Sequence, residues 1–100
     1  GVEIGQLHRP KGVAVSRRGH VFVSDSSLNV VQIFSPPGEL LGVLTDEDGR
    51  PFAFAHPMGM TFDAKGRLLV TELRADRVAV VAVPSEWTAS NPSTRPEGSP

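Results

Sequence analysis

One stretch of this chain occurs twice. Leu7-His8-Arg9-Pro10-Lys11-Gly12-Val13-Ala14-Val15-Ser16-Arg17-Arg18-Gly19 lies over Phe54-Ala55-His56-Pro57-Met58-Gly59-Met60-Thr61-Phe62-Asp63-Ala64-Lys65-Gly66 at an offset of 47 residues, without a gap. Pro10 falls on Pro57, Gly12 on Gly59 and Gly19 on Gly66. The match runs on: Val23 meets Val70, Asp25 meets Glu72, Asn29 meets Asp76, Val31 meets Val78 and Ile33 meets Val80. Such a chain folds as two copies of one supersecondary unit, and a unit of that size buries its apolar faces only against a neighbour.

The unit is built from strands. Gly12-Val13-Ala14-Val15-Ser16, His20-Val21-Phe22-Val23-Ser24, Asn29-Val30-Val31-Gln32-Ile33-Phe34 and Glu39-Leu40-Leu41-Gly42-Val43-Leu44 are short, mostly β-branched or aromatic runs. Arg18-Gly19, Ser24-Asp25-Ser26-Ser27 and Pro36-Pro37-Gly38 punctuate them. No window carries the apolar stripe of a helix for more than two turns, and Pro10, Pro36, Pro37, Pro51 and Pro57 interrupt most alternatives. The chain therefore reads as all-β, with strands near 12–16, 20–25, 29–35 and 39–45 and again near 59–63, 67–72 and 76–83. Val21 and Val23 point one way and Phe22 the other, so both faces of the sheets need cover.

A strand-filled period of 47 residues fits a β-propeller blade, whose repeats run about 40–50 residues; solenoid repeats of that length need helices. In a blade, Pro10 and Pro57 fix the chain as it joins the innermost strand. Gly12 and Gly59 then lie where inner strands crowd the central axis. Gly19 and Gly66 supply the positive φ of a tight hairpin turn. Asp25 and Asn29 bracket the next turn, with Glu72 and Asp76 in their places in the second repeat.

The string P-K-G-V-A-V-S-R-R-G-H-V-F-V-S-D-S-S-L-N-V-V-Q-I-F-S resembles an NHL repeat. P-M-G-M-T-F-D-A-K-G-R-L-L-V-T-E-L-R-A-D-R-V-A-V-V resembles a second, more diverged one. The likeness spans about residues 5–83, with repeats at about 5–45 and 52–83. The second copy departs at Glu72 and Leu73, where the family prefers an Asp followed by a polar residue. The resemblance implies β-propeller blades of four antiparallel strands, most often six to a ring.

Two blades do not close a ring, and the second lacks its own outer strand, because Pro84 and a polar segment follow Val83. Val2-Glu3-Ile4 has the look of an outer strand that precedes a repeat. Either further blades of a longer propeller are needed, or sister chains join, three of which would make a homotrimeric six-bladed ring. Residues 84–100 are rich in Pro, Ser and Thr and read as a tail or linker, in which Trp87 is either docked on the body or loose.

Composition removes several classes. The formal net charge is −1, which argues against nucleic acid, and no apolar run is long enough to span a bilayer. There is no Cys, hence no disulfide, thiolate metal site or catalytic thiol. The start carries neither a signal-peptide pattern nor an initiator Met, which reads as a processed product or an excised piece. The absence of Cys together with the Pro/Ser/Thr-rich tail leans toward a bacterial extracytoplasmic protein.

The candidate face is the loop end, where both Pro-x-Gly lead-ins and both Asp25–Asn29 type turns gather. It holds His8, Arg9, Asp25, Asn29, His56, Glu72, Arg74, Asp76 and Arg77. His8 and His56 with carboxylates would suit a metal, and some propellers of this type are amidating lyases with His-held metals. Yet His8 aligns with Ala55 and His56 with Arg9, so neither metal nor cofactor is expected. Asp25 with Glu72 invites an acid–base reading, against which stands a turn-capping role. Arg9, Lys11, Arg74 and Arg77 could meet RNA, but acids balance them and no stacking aromatics accompany them. Asp46, Asp48 and Gly49 only faintly resemble a calcium loop, since the glycine is early and no Glu follows at the right distance. The sequence thus points to a non-catalytic scaffold that binds a protein, peptide or other ligand. The alternatives are a metal-dependent lyase or lactonase-like enzyme, and an RNA reader.

Overall fold

The computed structural model describes residues 6–88. Within them run β1 (Pro10–Val15), β2 (Val21–Asp25), β3 (Val30–Phe34), β4 (Leu40–Val43), β5 (Pro57–Phe62), β6 (Leu68–Glu72), β7 (Arg77–Val81) and one helical turn, α1 (Ser85–Thr88). The strands form two antiparallel meanders, β1-β2-β3-β4 and β5-β6-β7. The 47-residue offset survives in the pairing: Ala14 faces Phe22 as Thr61 faces Leu69, and Ser24 faces Val31 as Thr71 faces Val78. Val2-Glu3-Ile4 and residues 89–100 lie outside the described residues. No helix among the described residues is long and apolar enough to cross a membrane.

One turn design recurs four times. Ser16, Ser35, Asp46 and Asp63 each open a turn whose glycine, three residues on, has positive φ: Gly19, Gly38, Gly49 and Gly66. In each, the side-chain oxygen accepts the amide of the residue four places on: His20 at 3.1 Å, Glu39 at 3.0 Å, Arg50 at 3.0 Å and Arg67 at 2.8 Å. The glycine amide closes the turn on the backbone carbonyl of the first residue. A short acceptor side chain plus a residue free to adopt the left-handed region is what such a turn requires. The acidic segment 45–51 is therefore a closed turn, tied by a Thr45–Pro51 bridge, within the longer link between the sheets.

The two sheets pack face to face. Strand alternation places Gly12, Ala14, Phe22, Ser24, Val31 and Ile33 on one side of the first sheet. Against them lies the side of the second sheet that carries Met60, Phe62, Leu68, Val70, Ala79 and Val81. Phe22 meets Phe62 edge-on at 5.1 Å. Phe22, Val31, Ile33, Leu68 and Val70 are all inaccessible or nearly so, and each such side chain stabilises the body by about 1.5–3 kcal/mol. The link pads the core with Leu44 and Phe54 and is fastened to β3, since Leu44 donates its amide to Val31 O and Phe54 to Asn29 O.

The seam is also polar at one point. Ser24 Oγ donates to the Met58 carbonyl at 2.6 Å, and Gly12 lies so close that a Cβ would collide with that carbonyl and with Gly59 Cα. The crowding at Gly12 thus comes from β5, the first strand of the neighbouring sheet. Gly59, its equivalent, meets only the Thr71 hydroxyl, because no sheet follows on its side among the described residues.

Trp87 is docked. Pro84 cannot continue the ladder, its carbonyl accepts the Trp87 amide at 3.0 Å, and the indole comes to 5.6 Å from His20 and 6.1 Å from Phe22. Arg18 Nη1 donates to Glu86 O at 2.7 Å, and Thr88 covers Gly66. By the repeat, Trp87 would have opened an outer strand opposite β7; it folds back onto the hairpin tips instead.

Candidate functional site

The starts of β1, β3, β5 and β7 and the ends of β2 and β6 share one end of the body, so its loops gather every residue named from the sequence for that face. Asp25 is inaccessible at the end of β2. Its carboxylate accepts the amides of His8 at 2.8 Å, Ser27 at 2.9 Å and Leu28 at 3.2 Å, with Arg9 farther off at 3.4 Å. It thereby binds the lead-in of β1 to the β2–β3 turn. Burial pushes this carboxyl up, but the amides of His8, Leu28, Ser27 and Arg9 outweigh it and leave the pKa below the ordinary carboxylate value.

Glu72 occupies the equivalent place with a longer side chain. Its Oε1 accepts the Ala55 amide at 2.7 Å, and Ala55 is the counterpart of His8. Its Oε2 accepts from Arg77 Nε at 2.8 Å. Arg77 first, then the Ala55 amide, holds the Glu72 carboxyl below its usual range, and Glu72 in turn raises Arg77. Both carboxylates best placed for acid–base chemistry are thus engaged by the backbone or by a neighbouring cation.

The remaining candidates fall into two kinds. Asn29 and Asp76 have φ of 59° and 54°, the left-handed turn positions that short polar side chains tolerate. His56, with φ 59°, replaces Arg9 in the repeat; its carbonyl accepts the Leu73 amide as that of Arg9 accepts the Ser26 amide. These residues shape loops. His8, Arg9, Lys11, Arg74, Asp76 and Arg77 are exposed and form the surface. Among the described residues, no group of three or more His, Asp or Glu side chains is arranged to hold a metal ion.

The charges at this end are sorted by depth. Asp25 and Glu72 are turned inward, at 0% and 2% exposure, so Asp76 alone among the three acids faces solvent beside Arg9, Lys11, Arg74 and Arg77. Two exposed leucines join them, Leu7 at 45% and Leu73 at 64%. Leu73 stands where the first repeat buries Ser26, and the sequence signal for it was the departure at Glu72-Leu73.

No protein-family model matches the chain. Protein wech of Drosophila melanogaster is 52% identical over 40 residues, covering 40% of this chain and 5% of that protein. Among solved structures, the virginiamycin B lyase of Staphylococcus aureus superposes with a TM-score of 0.58 at 22% sequence identity, over 84% of this chain and 28% of the lyase. The chain thus spans only a small part of either protein. The structural likeness, together with the two antiparallel meanders, identifies the fold as β-propeller blades.

Proposed function

We propose that this chain is an NHL-type propeller segment acting as a non-catalytic scaffold that binds a protein or peptide on its loop end. The observation that carries this reading is the division of labour at that end. The carboxylates are spent on backbone amides and Arg77, while Leu7, Leu73, Arg9 and Arg74 face solvent. Exposed leucines among cations suit a partner segment that alternates acidic and apolar side chains. The segment is one part of a ring, and further blades are partners in that sense.

The test is a titration of 15N-labelled chain with a peptide of alternating Glu and Leu, followed by amide shifts. Shifts are expected at residues 7–9, 26–28 and 73–77, with affinity reduced about 5- to 10-fold in an Arg9→Ala/Arg74→Ala double variant and unchanged in Lys65→Ala at the opposite end. Shifts confined to the hairpin tips would sink the reading. A single-stranded RNA that binds instead, with affinity falling steeply in salt, would overturn the peptide reading in favour of the RNA alternative.

A further inference from the structure

The second sheet leaves bare the face that the first sheet has covered. Val31 and Ile33 are 0% and 1% exposed, because the second sheet lies on them; their equivalents Val78 and Val80 are 53% and 56% exposed. Ser24 is buried on the seam, and its equivalent Thr71 is exposed. Beside Thr71 lies an open recess of about 460 Å³ bounded by Met58, Leu73 and Val78. The mirror-image gap is on the first sheet. Met60 and Phe62 cover the seam, while their equivalents Val13 and Val15 in β1 stand 60% and 59% exposed on the opposite side of the body; beyond them on that side Val23 and Gln32 are buried, and Gln32 Nε2 donates to Gln6 O at 3.3 Å. One chain therefore carries both halves of a seam it has already made once, on opposite sides of the molecule.

We propose that these two faces join copies of this chain head to tail: the Val78–Val80 face of one copy receives the Val13–Val15 face of the next. The internal seam supplies the template. There, Ser24 Oγ donates to the Met58 carbonyl; between copies, the Thr71 hydroxyl, which now turns back to Gly59 O at 3.2 Å, donates to the carbonyl of Lys11, the residue 47 places before Met58. Gly12 leaves room for Met58 within the chain, and Gly59 leaves room for Lys11 of the next copy. That explains a glycine which nothing crowds inside the chain. The contact is heterologous, so each added copy presents a fresh face until the rotation closes a ring. It uses the flat sides of the sheets and meets the loop end only at Leu73, which borders the recess.

Sedimentation equilibrium over a concentration series tests this. The full chain should reach a discrete mass that is an integer multiple of 10.7 kDa. Gly59→Ala should weaken association about 10- to 100-fold, because its Cβ meets only Thr71 Oγ1 at 3.6 Å within the chain but strikes the next copy's backbone. Its melting temperature under monomeric conditions should match the parent. Val80→Lys and Val13→Lys spoil opposite faces, so each should be monomeric alone and the mixture should give a one-to-one dimer through the remaining intact pair. A parent that stays monomeric up to its solubility limit overturns the proposal. So does Gly59→Ala associating like the parent, or a mixture that fails to pair.

Discussion

Val31 and Val78 are the same residue type at the same place in two copies of one repeat, yet one is inaccessible and the other half exposed. The same split separates Gly12 from Gly59, the one pressed against Met58 and the other meeting only the Thr71 hydroxyl of its own sheet. Over their three equivalent strands the two blades share order, pairing and turn chemistry; apart from the fourth strand of the first, they differ in what lies beside them. Burial here is a property of the neighbour, and the repeat makes the missing neighbour visible by showing what the first blade has and the second lacks.

The two blades should differ most at their inward carboxylates. If the first blade is the more tightly determined, Asp25→Ala should cost more than Glu72→Ala. Removal of Asp25 strands the partly buried amides of His8, Ser27 and Leu28 and weakens the hold on Arg9, a loss of about 2–4 kcal/mol. Removal of Glu72 strands one amide, Ala55, and frees Arg77, whose side chain is 65% exposed and keeps its water. That loss is about 1–2 kcal/mol, since an ion pair with one exposed member adds little. Urea midpoints of the two variants, measured as monomers, give the order. Equal losses would mean that the blades are held alike and that the count of amides decides nothing.

Acid sensitivity should follow the same pair with a smaller total effect. Both carboxyls lie below their ordinary values in the folded chain, so the unfolded chain binds protons more readily. The stability they contribute is full above the unfolded value of about 4 and is lost as the pH falls through the depressed folded values. Unfolding midpoints measured downward from about pH 6 should therefore decline in the parent and decline less steeply in Asp25→Ala and in Glu72→Ala. An unchanged acid limb in both variants would remove these carboxylates from the account.

Much of the fold is legible in the repeat alone. The offset of 47 placed six of the seven strands in equivalent pairs, and the inward role of Asp25 was one of two readings that its spacing allowed. Trp87 was not legible, because one indole in a polar segment has no periodic signal and its site is assembled from His20 and Phe22, far off in sequence. The depth of the acids at the loop end is not legible for a related reason: counting charges does not tell which carboxylates turn inward. The turn at Asp46 is written in the sequence as D-x-x-G-R and repeated at Asp63, although its cluster of acids resembles a cation loop.

The smallest predicted difference is the most direct probe of the neighbour itself. Ser24→Ala deletes a buried donor and leaves the Met58 carbonyl short of a partner on the seam, a loss of about 1–2 kcal/mol. Thr71→Ala deletes the equivalent hydroxyl where solvent can replace it, and should cost under about 0.5 kcal/mol in a dilute monomer. The hydroxyls have the same place in the repeat and similar chemistry, so any difference measures the second blade lying on the first. Raising the protein concentration should then close the gap: once a next copy covers Thr71, its loss becomes that of a seam donor as well. If the Thr71→Ala cost stays flat while the parent associates, copies meet on some surface other than the one the internal seam prescribes.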